Sequence, residues 1–243
     1  MIIIIIILLL VLVIYKINNK DLFTDFDRYH HIYYINLDSR PDRNKLMINQ
    51  LRHANKNKKF KINRFSAIKN SIHGGIGCGQ SHIKILKIAK KLNLPYVIII
   101  EDDIQIKHNL EKYINQIKML NNWDIVLLAG HGEYKHYNDV FHKADGIQTT
   151  GCYVIKRHYY DTLINKFQES VDNMISLHKQ NKDIQYDRWA IDQNWKQLQI
   201  KDNWFVFKEK IGIQRTGYSD IEHRIIDHKS LDEKRKLRMK MII

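Results

Sequence analysis

The chain has 243 residues, 44% of them hydrophobic and 27% charged, with 40 Lys and Arg against 26 Asp and Glu for a net charge of +14. This is enough sequence for one substantial core, so a single domain of ordinary globular composition is expected. The basic residues are scattered rather than gathered on one stripe, and the bias toward Ile, Lys, Asn and Tyr is that of AT-rich coding, so no nucleic-acid partner is expected.

Residues 1–15, MIIIIIILLLVLVIY, form an uninterrupted apolar run. It is shorter than the ~20 residues of an ordinary spanning helix. No small-residue cleavage site follows, and the run reads as an uncleaved signal anchor, with a cleaved signal as the alternative. The expectation is a single-pass, membrane-anchored protein of an ER/Golgi-type secretory membrane or its equivalent. Lys16 and Lys20 would keep the downstream side cytosolic by the positive-inside rule. A lumenal catalytic domain requires the reverse, so orientation stays open. Residues 16–29 read as a polar stem, 30–227 as the folded domain and 228–243 as a basic tail. Between Lys229 and Lys240 that tail carries six basic and two acidic residues, the pattern of a solvated segment or one near a membrane surface.

Within the folded domain, HIYYINL (31–37) reads as a first strand. Ser39 offers an N-cap and Pro41 a first-turn residue for a helix running to about Arg52. FKINRFSA (60–67) is a second strand, followed by a Gly74–Gly79 bend and a helix from about Gln80 to Lys91. In that helix Ile85, Ile88, Ala89 and Leu92 form an inward stripe, which extended backwards reaches Ser81 and His82 in the first turn. PYVIIIEDD (95–103) has the continuous apolar run of a strand buried on both faces of a mostly parallel sheet.

Further along, NLEKYINQIKML (109–120) is a helix, WDIVLLAG (123–130) and GCYVI (151–155) are strands, and RHYYDTLINKF (157–167) and DRWAIDQNWKQL (187–198) are helices. WFVFKEKIGIQ (204–214) closes the series as a late strand, and His131–Gly146 reads as a loop on the acceptor side or a lid. Strands and helices alternate with short connectors, so the class is α/β with one mostly parallel central sheet flanked by helices. Cys78 and Cys152 lack metal-ligand spacing and read as two thiols, Cys78 as packing.

Glu101, Asp102 and Asp103 close the most apolar strand of the chain. Ligands of open α/β sheets bind beyond the carboxyl ends of strands, and three adjacent carboxylates repel one another unless a cation joins them. Hard oxygen donors suit Mg²⁺ or Mn²⁺ together with substrate phosphates. Two readings stand at this point: a metal-bound nucleotide diphosphate, and a strand end whose acids sit in water or cap the next helix.

Four blocks between roughly residues 31 and 223 resemble glycosyltransferase family 25, which includes bacterial lipopolysaccharide glycosyltransferases and animal procollagen galactosyltransferases. They are Ile35–Arg43 (INLDSRPDR), Gly74–His82 (GGIGCGQSH), Glu101-Asp102-Asp103, and lastly Ala190-Ile191-Asp192 with Gly217-Tyr218-Ser219-Asp220. The proline that often precedes the hydrophobic-Asp motif is missing here. The resemblance implies a GT-A-like domain over residues 30–227 that transfers a hexose, galactose first, from a UDP-sugar with inversion. The implied acceptor is a hydroxyl on a collagen-like protein or a glycan. A catalytically inactive relative that binds a nucleotide sugar or a glycan is the alternative.

On that resemblance Asp103, with Asp102, is expected to hold Mn²⁺ (or Mg²⁺), and Glu101 to face the nucleoside. Asn36, Asp38, Arg40, Arg43, Ser81, His82 and Asp220 are expected on the donor, with His223 near the same loop. Asp192 is the expected general base. Asp187, placed inward by sharing a helical stripe with Ile191, Trp195 and Leu198, competes with it. Trp189, Trp195 and Trp204 are expected in the core.

Overall fold

The computed structural model describes residues 30–106 and 109–228, so the anchor at 1–15, the stem at 16–29 and the tail from 229 onward lie outside the described residues. Among the described residues no helix is long and apolar enough to cross a membrane.

Eight strands build the central sheet: β1 (His30–Asn36), β2 (Phe60–Ser66), β3 (Tyr96–Glu101), β5 (Ile125–Leu127), β6 (Tyr134–His136), β7 (Phe141–Ala144), β8 (Cys152–Lys156) and β9 (Trp204–Phe207). Their order is β2-β1-β3-β8-β5-β9-β7-β6. Short strands β4 (Ile104–Ile106) and β10 (Gly212–Gln214) pair with each other, as do β11 (Gly217–Ser219) and β12 (Arg224–Ile226).

The class is α/β as expected, but the sheet is mixed rather than mostly parallel. β1 pairs in parallel with β2 and β3, and β5 with β9, whereas β8 runs antiparallel between β3 and β5, and β7 runs antiparallel to β9 and β6. An apolar run reports burial on both faces and carries no information on direction, so the β3 sequence fits either kind of neighbour. The segment expected as a loop at His131–Gly146 holds the β6–β7 hairpin, which extends the sheet edge. The late strand divides in two, β9 in the central sheet and β10 beside β4.

Alternate residues of each strand feed two separate cores. Tyr33, Ile35, Val97, Ile99, Tyr153 and Ile155 pack under the helices Gly74–Lys91 and Tyr160–Lys179. Ile32, Tyr34, Ile98, Ile100, Cys152 and Val154 pack on the other face, under Pro41–Ala54 and Leu110–Ile117. Val97 through Ile100 have no exposed surface, and each such side chain contributes about 1.5–3 kcal/mol by leaving water. Trp195 and Trp204 are likewise fully buried core residues, and Trp189 packs partly buried against the same core.

Beyond the helix expected over 157–167, which runs from Tyr160 to Lys179 after a 3₁₀ turn, and the one expected over 109–120, which spans Leu110–Ile117, three helix boundaries differ from expectation. Pro41 does open the first helix, but its N-cap is Arg40, with no side-chain cap bond, rather than Ser39. The glycine stretch is not a bend, because the helix runs from Gly74 to Lys91, with the His73 side chain accepting from Gly75 N–H at 3.1 Å. Its glycines serve close packing: a Cβ on Gly77 would overlap the Ile68 carbonyl oxygen, and one on Gly79 would press on Val171 and Ile191. Leu92, the C-cap, is exposed, and the inward face is carried by Ile85, Leu86 and Ala89. Third, residues 187–198 are not one helix. A 3₁₀ segment Asp183–Trp189 ends at extended Ala190, and short helices Ile191–Asn194 and Lys196–Lys201 follow. A helical stripe therefore does not continue through Ala190, and Asp187, expected inward, is exposed.

Candidate active site

The carboxyl ends of β1, β2 and β3 lie side by side, with Asn36 beside Ser66 and Ile35 beside both Phe65 and Glu101. Because β8 runs the other way, its entry at Thr149–Gly151 meets the same edge, and Glu101 N–H donates to the Gly151 carbonyl at 2.8 Å. Asp192, from the helix Ile191–Asn194, accepts from Thr149 N–H at 3.0 Å. Segments distant in sequence thus converge on the tip of β3, where open α/β sheets bind ligands. Thr149 sits there at φ +83°, a left-handed conformation costly for a β-branched residue and typical of functional loops.

Toward β1 the acids are paired. Asp102 is buried and accepts from Asn36 Nδ2 at 2.6 Å and from Arg43 Nη1 at 3.0 Å. Burial raises its pKa, and those two contacts pull it partway back. Arg43 also donates to the Tyr218 carbonyl at 2.5 Å. Asp38 accepts from the Ser66 hydroxyl at 2.7 Å and from Arg64 at 2.6 Å, and these bonds hold it below the usual carboxylate range. Arg64 Nε donates further to Asn36 Oδ1 at 2.9 Å. Arg40 forks onto Asp42 at 3.0 and 2.8 Å, which holds that carboxyl at about 2, and reaches Asp220 at 2.6 Å.

Toward β8 the acids have no such partners. Glu101 Oε1 accepts from Thr150 Oγ1 at 2.6 Å and lies 3.2 Å from His82 Nε2. Burial pushes this carboxyl up, but His82, Thr150 and the Arg43 charge outweigh it, and its pKa is lowered. Asp103 accepts from Gln214 at 3.2 Å on one oxygen, and its other oxygen is buried without a partner. Burial, with the charges of Glu101 and Asp102, pushes Asp103 up to about 7. Burial also raises Asp192, and Glu101 adds to the rise. Among the described residues neither Asp103 nor Asp192 pairs with Lys or Arg, and the ion-pair partner of Glu101 is His82.

This donor set fits a hard divalent cation. An orphaned buried carboxylate oxygen on Asp103, with Glu101 and Asp102 near enough to raise its pKa, suits a Mg²⁺ or Mn²⁺ ion, which takes one or two carboxylates and fills the rest of its shell with water or phosphate oxygens. Asp102 has no oxygen free of a protein donor. Among the described residues, the group of three His, Cys, Asp or Glu donors close enough to share one ion is Cys78, His82 and Glu101, whose ligand atoms lie within 4.8 Å of one another; Asp103 and Asp192 do not complete such a group. Cys78 and Cys152 are both free thiols.

Ser81 and His82 face inward and are fully buried, but they sit in the body of the helix rather than in its first turn. Ser81 Oγ accepts from Ile68 N–H at 2.9 Å and donates to the Gly77 carbonyl at 2.7 Å, fastening the loop after β2 to the helix. His82 reaches the site, bridging Glu101 and the Tyr153 hydroxyl, the latter at 2.9 Å. Asp220 joins the paired side through Arg40, whereas His223 and Asp187 are exposed. Sequence reasoning missed Arg64, Ser66, Thr149, Thr150, Tyr153 and Arg215. Arg64 and Ser66 were findable, since they alternate on the second strand. Nothing local marks Thr149 or Arg215.

Residues 54–145 match the model of glycosyltransferase family 25 (LPS biosynthesis protein). The matched stretch contains Gly74–His82 and Glu101–Asp103, two of the blocks on which the family-25 resemblance rests. No curated protein matches the chain. Among solved structures, similarity is found to a glycosyltransferase involved in glycosylation of the major capsid of PBCV-1, at 8% identity and TM-score 0.40, covering 60% of this chain and 66% of that one. Mouse xyloside xylosyltransferase 1 aligns at 11% identity and TM-score 0.39, over 75% of this chain and 76% of that one. The glycosyltransferase GlyE of Streptococcus pneumoniae TIGR4 aligns at 10% identity and TM-score 0.44, over 74% of this chain and 45% of that one. The chain spans slightly less than two thirds of the capsid-glycosylation enzyme and under half of GlyE.

Proposed function

We propose that the chain is a metal-dependent, inverting glycosyltransferase of GT-A type, moving a hexose, galactose first, from a UDP-sugar to a hydroxyl on a collagen-like protein or a glycan. The observation that carries this reading is the acid group at the tip of β3, where Asp103 keeps a buried oxygen without a partner. The family-25 match over that stretch supports it. Mn²⁺ (or Mg²⁺), held by Asp103 with Glu101 and Asp192 beside it, would neutralise the diphosphate as UDP leaves.

The remaining work falls to the chain. Arg215 has a buried Nε without a partner and a charge that Asp103 feels, so it can donate to a phosphate oxygen. Asn36, Asp38, Arg40, Arg43 and Asp220 form the donor-side wall, where their mutual bonds hold the nucleoside end in register. His82 and Thr150 keep Glu101 ionised and oriented. Thr149 N–H fixes Asp192 Oδ2, and burial lifts this carboxyl above its ordinary range. Both favour Asp192 as the base that takes the acceptor hydroxyl's proton during a single displacement. The apolar run at 1–15 is the proposed single-pass anchor in an ER/Golgi-type membrane.

A panel of UDP-sugars with Mn²⁺, offered to a hydroxylated collagen peptide and to simple saccharides, tests the proposal. UDP release names the donor, and product mass names the acceptor class. Asp103→Asn is expected to abolish metal-dependent turnover, and full turnover by that variant overturns the reading.

A further inference from the structure

Cys78 and His82 stand four residues apart on the helix Gly74–Lys91, a spacing that brings both side chains to one face. Glu101 meets them from the tip of β3, and Cys78 Sγ, a His82 ring nitrogen and a Glu101 oxygen lie within 4.8 Å of one another. We propose that Cys78, His82 and Glu101 form a second metal centre, selective for Zn²⁺ and similar thiophilic divalent ions over Mg²⁺ or Mn²⁺. Nothing in this assignment depends on the transferase reading.

The surroundings of the three donors are those of a metal site. His82 Nδ1 lies 2.9 Å from the hydroxyl of fully buried Tyr153. A metal bound between them would take the Nε2 lone pair in place of the His82–Glu101 contact, with Nδ1–H donated to Tyr153 in the tautomer a metal needs. Thr150 Oγ1 donates to Glu101 Oε1 at 2.6 Å and orients the carboxylate. Burial first, and then the charges of Glu101, Asp192 and Asp103, push the Cys78 thiol well up, and those same negative charges favour a cation beside it. On binding, the sulfur–metal bond replaces the S–H bond and the thiol proton leaves to solvent.

Zinc bonds of about 2.3 Å to sulfur and about 2.1 Å to nitrogen and oxygen require the donors to draw in slightly. Cys78 and Glu101 are only partly buried, so a small side-chain shift of each can close that gap. A set of thiolate, imidazole and one carboxylate is softer than Mg²⁺ or Mn²⁺ prefers, and the order of divalent affinities reinforces zinc. Occupation engages Glu101 beside Asp103, so Zn²⁺ is expected to oppose Mn²⁺ at the acid group.

The test is a titration of the metal-free full chain with Co²⁺, a spectroscopic stand-in for Zn²⁺, with no donor sugar present. One equivalent should produce a sulfur-to-cobalt charge-transfer band that Zn²⁺ bleaches and equimolar Mg²⁺ leaves. The band should vanish in Cys78→Ser and persist in Cys152→Ser, since Cys152 belongs to the opposite core. Tyr153→Phe should weaken cobalt binding about 10–100-fold. Protection of Cys78 from alkylation by Zn²⁺, read by peptide mass spectrometry, answers the same question without a variant. Absence of the band, its survival in Cys78→Ser, or unchanged alkylation overturns the assignment. Failure of UDP release alone leaves it standing.

Discussion

Asp102 and Asp103 are neighbours, yet Asp102 gives its oxygens to Asn36 and Arg43 while Asp103 keeps one oxygen buried and unpartnered. The contrast extends to the regions on either side. Toward β1 and β2, Asp38 rests on Arg64 and Asp42 and Asp220 rest on Arg40. Toward β8, Glu101, Asp103 and Asp192 share a partly buried space with no Lys or Arg paired to them among the described residues. A buried charge whose counter-ion lies in the chain is part of the frame, and one without it takes up a proton, as the raised pKa of Asp103 indicates, or a counter-ion from outside. The first region is held by its own ion pairs, and the second keeps a buried carboxylate oxygen without a partner.

The largest expected effect lies on the cation-poor side. Asp192→Asn should lower kcat by about 10²–10⁴-fold while leaving UDP affinity in place, as steady-state kinetics and calorimetry would show. A change confined to KM would remove Asp192 from the role of base. On the paired side, Arg43→Ala should cost roughly 3–5 kcal/mol of stability, because it leaves buried Asp102 with Asn36 but without a counter-charge. Urea unfolding measures that loss, and adding Asp102→Asn should recover part of it. No recovery would mean that the pair is not the frame.

Asp103→Asn should act with the opposite sign. An unfolded Asp ionises near 3.8 and the folded Asp103 near 7. Between those values the folded state holds the extra proton, so stability falls as pH rises through the window. In metal-free protein above that window, Asp103→Asn should therefore stabilise by roughly 2–4 kcal/mol and flatten the pH dependence. Denaturant melts below and above the window check it. Mn²⁺ should raise the melting temperature of the parent more than that of the variant. The smallest effect is expected at the rim, where Arg40→Ala should cost about 1 kcal/mol or less, since its pairs with Asp42 and Asp220 remain open to solvent.

Much of this was readable in advance. The interior run before Glu101, the inward direction of Ser81 and His82, and the strand carrying Asn36 all follow from apolar spacing. Strand direction did not, because β3 presents the same buried residues to parallel β1 and antiparallel β8. The start of the helix at Gly74 was hidden too: glycines suggest a bend, while here they admit the Ile68 carbonyl and the side chains of Val171 and Ile191. Asp187 misled because a helical period was carried across extended Ala190. Thr149 and Thr150 have no local signal, since their role comes from β8 running back toward the tip of β3.

Residue order alone, then, established which segments are interior, that the class is α/β, and that carboxylates gather where an interior strand ends. Folding settled which of those carboxylates has a partner. The bonds that tie Asp102 to Arg43, Asp102 to Asn36 and Arg40 to Asp220 span 59, 66 and 180 residues. Apolar periodicity is a local record of burial, whereas the pairing of charges depends on how strands lie side by side, and no local pattern encodes that.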